Sequence, residues 1–144
     1  MYQQHHNDNF VNLVQAIELK ELGFREYCYQ HYDAAGTLCD NYINVPTGSM
    51  NIITTVNILK SYNNYRNVTD KWDAPTLSQV HAWLRTNKFI DIDIEVGGLR
   101  NKKRYYVYSI ILPNGDYLSN TNKKFFKYEK GLSDAITKCI EMLK

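Results

Sequence analysis

Phe89-Ile90-Asp91-Ile92-Asp93-Ile94-Glu95-Val96 decides how this chain is read. Apolar and acidic residues alternate without a break. In an extended strand Ile90, Ile92, Ile94 and Val96 therefore share one face, and Asp91, Asp93 and Glu95 share the other. A strand with one apolar and one wet face belongs to an antiparallel sheet covered on one side. Downstream, Gly97-Gly98-Leu99-Arg100-Asn101-Lys102-Lys103 reads as a basic turn, followed by a second strand from Arg104 to Leu112. Pro113-Asn114-Gly115-Asp116 then supplies the Asn-Gly pair of a tight hairpin, so a third strand returns over Asp116–Ser119. Leu132, Ala135, Ile136, Cys139, Ile140 and Leu143 recur at helical spacing, which predicts an amphipathic helix from about Tyr128 to the end.

Upstream, Thr76-Leu77-Ser78-Gln79 has the form of a capping box after Pro75, opening a helix that buries Val80, Trp83 and Leu84 and ends near Asn87. The C-terminal half is thus αβββα. In the first half, Asn7, Asp8 and Asn9 precede Phe10, Leu13, Val14 and Ile17, predicting a helix over about 8–22. Gly23 suits the left-handed residue that ends a helix, with Phe24 folding back on the last turn. Strands over Phe24–Tyr32 and about 37–45, joined at Ala34-Ala35-Gly36, suggest a hairpin. Residues 1–7 read as a flexible start and 46–73 as an irregular excursion. Within that excursion Ile52–Leu59 fits either a strand or a short helix, the strand being preferred, and Trp72 falls in a polar loop. The whole is expected to be one α+β domain, 1–144, whose antiparallel sheet is covered on one face by helices beginning near Asp8, Thr76 and Tyr128.

Composition bounds the function. With 144 residues, 44% of them hydrophobic, the chain can bury one core. Its 17 Lys and Arg against 15 Asp and Glu leave +2, too little for indiscriminate attraction to phosphate. No apolar run reaches the roughly 18 residues that span a bilayer, and the polar start has no secretion signal, so no membrane partner and a cytoplasmic location are expected. Cys28, Cys39 and Cys139 are odd in number and argue against a disulfide framework; Cys139 falls on the apolar face of the last helix.

The order of a helix, Gly23-Phe24, a strand, then Ala74-Pro75-Thr76, Trp83-Leu84-Arg85, an Ile-rich strand and a helix opened by Tyr128-Glu129 resembles small uncharacterised proteins from phage and prophage regions of Bacteroidetes. The resemblance spans most of the chain. It implies a mobile-element origin and a cytoplasmic location, and it carries no activity to any residue.

Candidate chemistry is sparse. Cys28, His31 and Cys39 lack the paired spacing of a zinc site, and Cys28 and His31 would leave a strand on opposite faces. Asp91, Asp93 and Glu95 share a face at about 7 Å steps and could hold a cation, but they suit a solvated sheet surface better. No nucleophile elbow, phosphate-binding glycine loop or nucleotide fingerprint is present, so no catalytic residue, metal or cofactor is assigned. The leading expectation is a non-enzymatic protein that binds a protein partner or itself. The alternative is a nucleic-acid-binding module, because αβββα is also the order of the double-stranded RNA-binding domain. Its candidate polyanion contacts are Arg100, Lys102, Lys103 and Arg104 in the first hairpin, with Lys123 and Lys124 before the last helix.

Overall fold

Asn12, not Asp8, opens the first helix, α1 (Leu13–Glu21). Its carboxamide accepts the Gln15 N–H at 2.8 Å, and the Gln15 side chain accepts the Asn12 N–H at 3.0 Å. This reciprocal cap needs a Gln or Glu three residues on, which none of Asn7, Asp8 and Asn9 has. The end of α1 follows the sequence. Gly23 takes φ 91°, the Phe24 N–H reaches back to the Leu19 carbonyl at 3.0 Å, the Gly23 N–H bonds Lys20 at 3.2 Å, and Phe24 is buried.

The computed structural model describes residues 8–41 and 68–144, which divide into two compact units, Val11–Thr76 and Met1–Phe10 with Leu77–Lys144. In the Val11–Thr76 unit, β1 (Gln30–Tyr32) and β2 (Leu38–Asp40) form the expected hairpin, with shorter strands than the sequence suggested. The Asp33 carboxylate ties its turn by accepting the Ala35 and Thr37 N–H groups, each at 2.9 Å. A third strand, β3 (Trp72–Ala74), pairs with the other edge of β1. Trp72 therefore lies in a strand and not in a polar loop. The Lys20 ammonium stands 6.0 Å from its ring centroid and bonds the Lys71 and Val68 carbonyls. The strand expected over Ile52–Leu59 lies outside the described residues.

In the other unit, α2 (Leu77–Trp83) continues into a wider π turn, Leu84–Lys88, closed by Phe89 in the left-handed conformation. Then come β4 (Asp91–Arg100), β5 (Lys103–Ile111), β6 (Tyr117–Phe125) and α3 (Tyr128–Leu143), so the αβββα order stands. Strand order is β4-β5-β6, antiparallel throughout. The α+β class is as read, but the strands form two three-stranded sheets rather than one, and α1 packs against β3. Alternation identifies the face of a strand, not its neighbours.

Two boundaries also differ. The basic turn expected over Gly97–Lys103 contracts to Asn101 and Lys102, both at positive φ, because pairing persists to Arg100↔Lys103. That is the mirror-type two-residue turn whose twist matches the strands. The third strand continues past Ser119 to Phe125, with residues 121–124 standing opposite the single Val107.

The core of this unit sets Ile92, Tyr108 and Ile110 of the sheet with Leu132, Ala135, Ile136, Cys139 and Ile140 of α3, all buried. Trp83 and Cys139 are buried as expected, and burial pushes the Cys139 thiol up to about 12. Length then decides what stays uncovered. Ten residues of β4 extend about 34 Å, whereas sixteen helical residues of α3 extend about 24 Å. The helix cannot shield the whole strand.

Candidate nucleic-acid interface

Burial fades along one face of β4: Ile92 is 5% exposed, Val96 52% and Leu99 73%. Beyond Tyr106, which pairs with Phe125, β6 stops and only β4 and β5 continue. Gly98↔Tyr105, Leu99↔Arg104 and Arg100↔Lys103 form a two-stranded ribbon closed by Asn101 and Lys102. Cross-strand partners share a face. Leu99 and Arg104 therefore lie on the side that carries Tyr106 and Val96, and Arg100 and Lys103 on the side of Tyr105.

Gly97 provides the bend at the root of this ribbon. The register slips between Val96 and Gly98, and a Cβ on Gly97 would collide with the Tyr105 ring. The absent side chain leaves the room in which that ring lies. Lys124 sets its ammonium 4.9 Å from the Tyr105 centroid, joining the far end of β6 to the ribbon. The first hairpin turn and the end of β6 thus meet at the same end of the sheet, as antiparallel order requires.

The six candidate cations do not share one fate. Arg100, Lys102, Lys103, Arg104 and Lys124 are exposed and make no ion pair among the described residues. Lys123 instead bonds Asp134 at 2.9 Å and lies over the Phe125 ring. At the start of α3, Lys127 and Lys130 converge on Asp8 at 3.2 Å each, and these bonds hold its carboxyl below the usual range. The helix-start lysines share one carboxylate, whereas the ribbon cations have none among the described residues.

Charge is also unequally shared. Met1–Phe10 with Leu77–Lys144 holds 12 Lys and Arg against 8 Asp and Glu, 12 − 8 = +4; Val11–Thr76 holds 5 against 7, 5 − 7 = −2. The near-neutral total is a balance of opposites.

Elsewhere polar groups are engaged in structure. Beneath the sheet the Tyr108 hydroxyl donates to Asp134 at 2.7 Å and accepts from Asn120 at 3.0 Å. Burial foremost, with Asp134 adding to it, pushes this phenol up to about 12. Tyr108, Ile110, Leu118, Asn120, Lys138 and Met142 border a groove of about 400 Å³. On the outer face of β4, Asp91 meets His81 at 2.8 Å and Arg85 at 3.7 Å, while Asp93 and Glu95 are exposed. His31 bonds the Asn41 carboxamide, and Cys39 contacts Asp33 and the Thr37 carbonyl. Among the described residues no group of three or more His, Cys, Asp or Glu is placed to hold a metal, and no helix is long and apolar enough to cross a membrane.

Sequence reasoning found the cations but not the ribbon that carries them, nor Leu99, Asn101 and Tyr105 beside them. The available signal was Asn101-Lys102 between residues able to pair, a hairpin turn obscured by the two glycines before it. The chain matches no protein-family model, no curated protein and no solved structure.

Proposed function

We propose that this protein binds nucleic acid through the end of its β4-β5-β6 sheet, with Arg100, Lys102, Lys103, Arg104 and Lys124 contacting phosphates. The carrying observation is their convergence there, exposed and without acidic partners among the described residues, on a unit of net charge +4. The backbone adds support. Lys102 takes φ 64°, where a side chain costs about 1 kcal/mol and glycine is the usual occupant. A cation kept there at a cost in stability fits a role in contact.

Fluorescence anisotropy with a labelled 20-base-pair duplex, titrated across salt concentrations, tests the reading. Five phosphate contacts predict a log–log salt slope of about −4.5, and Lys102→Ala with Lys103→Ala reduces it by about 1.8. Lys138→Ala, whose ammonium is paired with Glu141 at 3.5 Å, leaves the slope unchanged. No binding at low salt overturns the proposal.

A second reading, binding of a protein partner or self-association, draws on Val96, Leu99, Phe126 and Tyr128, all exposed. A concentration-dependent sedimentation coefficient without any salt-dependent duplex binding would favour it.

A further inference from the structure

Resting on the nucleic-acid reading, we infer that the β4–β5 ribbon enters the major groove of B-form duplex DNA tip first. The argument is one of dimensions and of charge on two sides. Past Tyr106 the ribbon has three cross-strand pairs, giving a projection of about 10 Å. Two strands stand about 4.8 Å apart, and a ribbon with its side chains is about 10 Å thick. The B-form major groove is about 12 Å wide and 8.5 Å deep, whereas the minor groove, about 6 Å wide, is too narrow. The major groove of A-form RNA is deep and narrow, and its open minor groove is too shallow to take such a projection.

The charge pattern matches this placement. A tip-first ribbon faces a phosphate wall on each side, and this one presents Arg104 on one face and Arg100 with Lys103 on the other. A ribbon laid flat on a phosphate surface needs cations on only one. Tyr105 and Lys124 stand at the root, where the groove edge would meet the sheet. At the tip, Asn101 and Lys102 lead, and Leu99 is 73% exposed. Amide and apolar groups at that depth meet base edges: Asn pairs with adenine, and an aliphatic side chain meets the thymine methyl. The acids Asp91, Asp93 and Glu95 begin further down β4, so the outer face as a whole would repel a duplex and the tip would not.

Competition against a labelled DNA duplex tests this. The expected result is that the DNA duplex competes about tenfold better than an RNA duplex of the same sequence, a single strand or heparin at equal charge. Methyl green, which occupies the major groove, should displace the protein, and netropsin, which occupies the minor groove, should not. The double variant Leu99→Ala, Asn101→Gly should retain the salt slope and lose about fivefold of the preference for DNA, since it removes base-edge groups but no cation. Equal competition by every polyanion overturns the inference while leaving the phosphate-contact reading intact. Displacement by netropsin alone, or a preference for RNA duplex, overturns it likewise. Absence of binding to all of them overturns both.

Discussion

Ile92 and Val96 share a face of one strand, yet the first is 5% exposed and the second 52%. The difference lies in what covers them. Near Ile92 the sheet carries α3, whose Ile136 and Ile140 are fully buried; toward Leu99 no third strand remains. Two-residue alternation runs unbroken from Ile90 to Val96, so pattern alone assigns the face of Ile92 and Val96, whereas the reach of the covering helix assigns the core. One strand thereby serves as structure at one end and as surface at the other.

The sharpest way to break this comparison is to truncate one apolar side chain at each end. Ile136→Ala opens a cavity in a site with no exposure and should cost about 2–5 kcal/mol in urea denaturation. Leu99→Ala removes a side chain already in water and should change stability by no more than about 0.5 kcal/mol. Comparable losses would mean that the ribbon end is packed and would remove it as a contact surface.

The ribbon should also show stability and binding pulling in opposite directions. Lys102→Gly relieves a left-handed backbone and should raise stability by about 1 kcal/mol, seen as a higher denaturation midpoint. The same change should reduce the salt slope by about 0.9. A variant that is both less stable and unchanged in binding would show that the lysine is kept for packing.

What could be read in advance follows the same division. Wherever local chemistry suffices, the sequence was legible: the Gly23-Phe24 stop, the turn at Ala34-Ala35-Gly36, the period of α3 and the αβββα order all depend on contacts within a few residues. Non-local features were not. Nothing in Phe24–Tyr32 says that only Gln30–Tyr32 forms a strand, and nothing in Trp72–Ala74 says that it completes a sheet with β1. The cations at 100–104 were visible as a cluster, but their separation from Lys123 was not. It depends on Asp134, eleven residues further on in a different element, claiming that one ammonium. Likewise, the pairing of Lys127 and Lys130 needs Asp8, more than a hundred residues away. Charge in a sequence is a count; whether it is available to a ligand is settled by tertiary pairing.

The smallest expected effect concerns Asp91, at the covered end. Burial raises its pKa, but the bond with His81, the Ile92 N–H at 2.8 Å and the Arg85 charge outweigh it, so the carboxyl titrates below its ordinary 3.8. The ionised form is therefore favoured by folding. Its contribution is complete above the ordinary value and disappears as pH falls through the depressed one, so the protein should lose stability below about pH 4. Because the side chain is 43% exposed, solvent screening limits the effect to about 0.5 kcal/mol. Asp91→Asn should flatten that acid limb in a pH series of denaturation midpoints. The ribbon offers the contrast: Gly98–Tyr105 contains no acidic residue, so the proposed contact with phosphate should not follow the Asp91 titration. If the salt slope of duplex binding fell together with that acid limb while the protein remained folded, the two ends of the strand would be coupled, and treating them as separate structure and surface would fail.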